Sequence, residues 1–128
     1  MFTLEQIDDI HTRLGNAETL LDYVRALKAI GVQKYDSYVT DGHSEYFGEQ
    51  GHTVIAPPVH PPLSIAETSS RENFLAHLKL HEQGRTSYLE MSAGLAESGI
   101  EKWTVDTSRE TMIFYDKAGN EMLVERIE

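Results

Sequence analysis

Two histidines four residues apart, His77 and His81 in "HLKLH", are the sharpest metal-like feature of this sequence. On a helix, residues four apart share a face, and two imidazoles on one face can hold one divalent ion. Zinc hydrolases of this spacing keep a glutamate between the histidines as general base. Here the intervening residues are Leu, Lys and Leu, so that base is missing. Both histidines fall at the margin of the stripe that Phe74 and Leu78 would make, where ordinary half-exposed histidines sit. The pair is read first as structural. The second reading is an incomplete site for a divalent metal, to be completed by an acid or by a histidine such as His43, His52 or His60.

"YVTDGHSEYFG", residues 38–48, raises a second possibility. A carboxylate beside an imidazole orients it for proton transfer or ligand contact, and Asp41 and His43 have that spacing. Glu45 falls on the same side of an extended strand as His43, and His52 lies across the expected hairpin. Asp41, His43, Glu45 and His52 are therefore the candidate ligand-contact group. No nucleophile or set of oxyanion donors accompanies them, so no catalytic residue is assigned and an enzyme is the less favoured class. The same stretch also has a purely structural explanation. Asp-Gly is a favoured pair for a two-residue hairpin turn of type I′.

Composition narrows the chemistry further. Among 128 residues there is no cysteine, which removes disulfides, thiol nucleophiles and cysteine-ligated clusters. The formal net charge of −10 disfavours phosphate backbones and anionic membrane surfaces as partners, and no basic run reads as a nucleic-acid patch. No apolar run approaches the ~20 residues of a membrane span. The acidic start "MFTLEQIDDI" does not resemble a secretory leader, so the expected location is the cytoplasm.

The elements that must position these residues follow from period and punctuation. Thr3 and Gln6 make a capping box, with Phe2 and Ile7 placed as a hydrophobic staple, and Leu4, Ile7, Ile10 and Leu14 keep helical spacing. Gly15-Asn16 ends that helix, and Asn16 is placed to cap the next. Leu20, Leu21, Val24, Leu27 and Ile30 form the face of this second helix, closed by Gly31. From Val32 the period becomes two: "VQKYDSYVT", "HSEYFG" and "HTVIA" read as three strands with turns at Asp41-Gly42 and Gln50-Gly51. Prolines 57, 58, 61 and 62 make a crossover loop, in which Leu63, Ile65 and Ala66 have something to bury. Ser69 with Glu72, and Ser87 with Glu90, are expected capping boxes for two more helices, closed by Gly84 and Gly99. "IEKWTVDT", "ETMIFYD" and "EMLVERIE" are the last three strands. No internal repeat is read along the chain.

The order ααβββ-loop-ααβββ predicts an α+β fold in a single domain over 1–128. Its expected form is a mostly antiparallel sheet of two three-stranded meanders with two helical pairs packed on it. Tyr35, Tyr38, Tyr46, Phe47 and Trp103 concentrate aromatic residues in the strands, where core is the first expectation. The helix at 87–98 carries Leu89, Ala93 and Ala96 on one side and Tyr88, Met91 and Leu95 on another. That pattern fits either central packing or a homodimer seam, to which Leu80 would contribute.

"MFTLEQI", "DG" followed by "YFG", "SGIEKWTVD" and "YDKAGNEMLVE" resemble the YbcV-like proteins nearly end to end. These are a bacterial family classed as a domain of unknown function, and some of its members carry the label phage envelope protein. The resemblance implies a small α+β domain and supplies no catalytic residues. The favoured reading is a non-catalytic module for a small ligand or a protein partner. A metal-dependent protein using His77 and His81, and a phage-related accessory protein, are the alternatives.

Overall fold

A computed structural model, described over residues 1–15 and 19–127, is an α+β structure. The elements are α1 (Leu4–Leu14), α2 (Leu20–Ala29), β1 (Lys34–Tyr38), β2 (Ser44–Phe47), β3 (Thr53–Ala56), α3 (Arg71–Glu82), α4 (Tyr88–Glu97), β4 (Ile100–Asp106), β5 (Thr111–Asp116) and β6 (Glu121–Arg126). The strands form one antiparallel sheet in the order β3-β2-β1-β4-β5-β6. The two meanders meet through their first strands, with Asp36 opposite Thr104 and Tyr35 opposite Val105.

The helix starts follow local hydrogen bonding. Thr3 Oγ1 accepts the Gln6 N–H at 3.3 Å, and Gln6 Oε1 accepts the Thr3 N–H at 2.9 Å. Ser87 and Glu90 reciprocate in the same way at 3.1 and 3.0 Å. The box expected at Ser69 and Glu72 does not form. The cap is Ser70, which accepts the Asn73 N–H at 3.3 Å. The chain ahead of α3 is pinned to the end of α4, since Ser70 N–H donates to the Ser98 carbonyl and Gly99 packs on the Ser69 backbone. That anchoring delays the helix by one residue. The proposed cap Asn16 lies outside the described residues; α2 begins after Thr19.

The turns exchange their expected roles. Five residues, 39–43, join β1 to β2, and of the pair Asp41-Gly42 only Gly42 has positive φ (+78°). A type I′ turn needs both. Val39, which is fully buried, instead donates its N–H to the Glu101 carbonyl of β4, which holds the loop open. The left-handed pair is Gln50-Gly51, at φ 56° and 76°.

Alternation separates the two faces of the sheet. On the covered face, Tyr23 of α2 meets Tyr35 edge-on and its hydroxyl lies 3.1 Å from that of Tyr46. Phe74 of α3 packs on Phe114, which also packs on Trp103. Met91 and Leu95 are buried in this same core, so they are not available to the dimer seam suggested by the periodicity of α4. Central packing explains them, while Leu80 and Leu89 remain exposed. The helices lie on one face, and the other face carries Lys34, Asp36, Tyr38, Glu45, Lys102, Thr104 and Tyr115.

The chain is also built twice, which corrects the expectation of no internal repeat. Asp36 and Thr104, 68 residues apart, are cross-strand partners at the junction of the meanders. The same offset carries "GVQKY" (31–35) onto "GIEKW" (99–103) and Gly51 onto Gly119. Gly31 and Gly99 both have positive φ, as do Gly51 and Gly119. The halves share the order ααβββ, and exchanging them leaves the strand order unchanged. The repeat is faint in the sequence because burial restrains only the class of side chain: Tyr35 answers to Trp103, Val32 to Ile100 and Leu27 to Leu95.

Candidate functional site

Asp36 is the organising residue of the uncovered face. Its side chain is only 10% exposed although it points away from the helices. Thr104 Oγ1 donates to it at 2.6 Å, and the Lys102 ammonium stands 3.7 Å away. Burial of a carboxylate is tolerated when such donors replace water. Lys102 Nζ also lies 5.7 Å from the Tyr38 ring centre and 5.5 Å from that of Tyr115, within cation–π range.

Tyr38 links this group to the β1–β2 loop. Its hydroxyl donates to Glu45 at 3.3 Å. Burial, followed by the negative field of Glu45 and Asp36, pushes the phenol up to about 12. The His43 ring stacks flat on Tyr38, with centres 4.3 Å apart and planes 5° from parallel. His43 Nδ1–H donates to Asp41 at 2.6 Å, and the His43 backbone N–H donates to the same oxygen at 2.9 Å. Burial raises the Asp41 pKa, but these His43 contacts outweigh it and hold the carboxyl below its ordinary range. The loop is fixed from behind, because Val59 and His60 both donate backbone N–H groups to the Asp41 carbonyl.

Three of the four residues proposed from sequence are thus brought into one chain of contacts: Asp41 holds His43, His43 stacks on Tyr38, and Tyr38 bonds Glu45. His52 lies at the far end of β2. Its Nε2–H donates to the Phe2 carbonyl at 2.8 Å, and its ring meets Phe2 edge-on. His77 packs against Gly94 of α4, where even an added methyl would clash with the imidazole. His81 Nδ1 faces the Thr86 carbonyl at 3.3 Å. Among the described residues no three His, Asp or Glu side chains converge as a metal site, so the ligand set required by His77 and His81 is not completed.

Asp36, Tyr38, Lys102, Thr104 and Tyr115 were not singled out as site residues from the sequence. The available signal was strand alternation. In "KYDSY" and "EKWTVD" the residues alternating with the core positions Tyr35 and Trp103 are charged, hydroxylated or aromatic. Tyr35, Tyr46 and Trp103 meet the expectation of core, whereas Tyr38 and Phe47 face away from it.

Two shallow depressions adjoin at Lys34, which lines both. One, about 360 Å³, is lined by Lys34, Asp36, Glu101, Lys102, Thr104 and Tyr115, among others. The other, about 480 Å³, is lined by Gln33, Lys34, Phe47, Gly48, Asp106, Ser108 and Arg109. Such an array can hold polar groups by hydrogen bonding and charge.

A family model described as "Protein of unknown function (DUF1398)" matches residues 8–126. The chain belongs to this family. No curated protein matches it. No helix among the described residues is long and apolar enough to cross a membrane.

Proposed function

We propose that this DUF1398 chain is a non-catalytic cytoplasmic binding domain, of YbcV-like type, whose ligand face is the uncovered face of the sheet. The observation that carries the reading is the interlocked group Asp41–His43–Tyr38–Glu45 beside Thr104–Asp36–Lys102. Its polar atoms are oriented by one another before any ligand arrives, which lowers the ordering cost of binding. Asp41 holds His43 Nδ1–H as it would in a general base, but among the described residues no hydroxyl is hydrogen-bonded to the His43 ring as a nucleophile, and the phenol on which the ring stacks is harder to ionise than usual. A small polar molecule matches the size of the depressions.

A fragment-library titration of the full chain, followed by amide chemical shifts, tests this. Saturable shifts are expected at Tyr38, Glu45, Lys102 and Tyr115, and are expected to vanish in Lys102→Ala. Binding confined to the helical layer would overturn the proposal.

Exposed Leu80 and Leu89, on α3 and α4, favour a second contact, a homodimer through the outer helical surface. Its mass in native spectrometry would be twice the chain's. Leu80→Lys with Leu89→Lys would return it to the monomer.

A further inference from the structure

The duplication allows the two depressions to be compared residue by residue. Gln33 and Glu101, Lys34 and Lys102, Phe47 and Tyr115, and Gly48 and Asp116 are equivalent positions, each pair separated by the offset of Asp36 and Thr104. In both halves the lysine ammonium lies over the aromatic ring of the neighbouring strand, at 5.0 Å for Lys34 on Phe47 and 5.5 Å for Lys102 on Tyr115. The scaffold is thus the same, and the charge balance is not.

At the Lys102 depression Lys102 is met by a carboxylate, whereas Lys34, which lines both depressions, is not. Asp36 stands 3.7 Å from Lys102, and Glu101 also lines the space, as does Asp116, which is occupied in accepting from Ala118 and Asn120. At the other depression Asp116 is replaced by Gly48 and Glu101 by Gln33, and Arg109 is added. Its single acid, Asp106, already accepts the backbone N–H groups of Ser108 and Arg109, both at 2.9 Å. Among the described residues neither Lys34 nor Arg109 has a carboxylate within ion-pair distance, and both are exposed. On a chain of net charge −10, a concave spot with two uncompensated cations and one occupied acid runs against the field of the rest of the surface.

We infer that the depression formed by Lys34, Phe47, Gly48, Ser108 and Arg109 is an oxyanion subsite, which takes the carboxylate or phosphate group of a small ligand. The inference rests on the reading of the uncovered sheet face as the ligand face and deepens it. Arg109 offers a planar fork of donors, and Lys34 offers a point charge held in place by the Phe47 ring. The Lys102 depression would take the neutral or cationic part of the same molecule, because its own lysine is already matched.

The test is a titration of the full chain with inorganic phosphate, and separately with acetate, against sodium chloride at matched ionic strength, read by backbone amide shifts. Saturable shifts at Gly48, Ser108 and Arg109 are expected with at least one of the two anions, and the anion that gives them identifies the source chemistry. Lys34→Gln with Arg109→Gln should weaken the binding by at least about tenfold, as loss of charge-assisted contacts predicts. Lys79→Gln, an exposed lysine of α3 that lines neither depression, should leave it unchanged. Shifts no different from those with chloride, or undiminished in the double variant, would overturn the subsite. The two readings fail separately. Loss of these anion shifts removes the subsite alone, whereas fragments that leave Tyr38, Glu45 and Lys102 unmoved remove the wider ligand face.

Discussion

Thr104 donates a 2.6 Å hydrogen bond to Asp36 at the point where the two halves of the chain meet. The two residues occupy equivalent positions of the duplicated unit and face each other across β1 and β4. One half supplies the acid and the other the hydroxyl, so a group that symmetry would make identical has become complementary.

Asp36→Ala should therefore destabilise the fold by about 1–3 kcal/mol, the range for leaving a hydrogen-bond partner without its acceptor. Asp36→Asn keeps an acceptor for Thr104 and should cost less. Urea denaturation of the three proteins compares them directly. An Asp36→Ala protein as stable as the parent would show that the junction does not depend on this bond.

Gly94 and His77 should be coupled. A Cβ on Gly94 would run into the His77 imidazole. Gly94→Ala should cost about 1–3 kcal/mol by overpacking. In a His77→Ala background most of that cost should disappear, giving a coupling energy of roughly 1 kcal/mol or more in a double-mutant cycle. Simple additivity would remove the packing role assigned here to His77.

The Tyr38 phenol should titrate near 12, with burial as the main cause and Glu45 next. Glu45→Gln removes the second contribution and should move the midpoint down toward the ordinary ~10. Carbon-13 shifts of the tyrosine ring, assigned through Tyr38→Phe, would follow it. No movement on Glu45→Gln would mean that the carboxylate does not act on Tyr38.

Acid should unfold the chain partly through Asp41 and Asp116. Burial opposes ionisation of Asp41, but the His43 contacts prevail and lower its pKa. Asp116 is lowered chiefly by the side chain and backbone N–H of Asn120. A carboxyl whose folded pKa is depressed contributes stability that is complete above its unfolded value, near ~3.9, and is lost as pH falls through the folded value. Asn120→Ala should raise the Asp116 pKa and shift the acid-unfolding midpoint, followed by circular dichroism, to higher pH. An unchanged midpoint would remove Asp116 from the acid response.

Much of this protein was legible in its sequence because the signals are local. Capping boxes at Thr3 and Ser87 need only residues three apart, and glycines at 31, 84 and 99 close their helices through backbone freedom alone. Period-two patterning gave six strands, and the short connections gave two antiparallel meanders. Asp41 and His43 were legible as a pair for the same reason, being two residues apart.

What the tertiary structure decided is what depends on distant partners. The joining of β1 to β4 brings Asp36 against Lys102 and Thr104, which lie on a strand far later in the chain. It also pulls Val39 toward β4, which turns the expected Asp-Gly hairpin into an open loop and leaves His43 stacked on Tyr38. The duplication itself emerges at this level, since core packing preserves volume and polarity while letting residue identity drift. Helical spacing placed His77 and His81 on one face, but only the fold could show what meets them: a glycine of α4 and the Thr86 carbonyl.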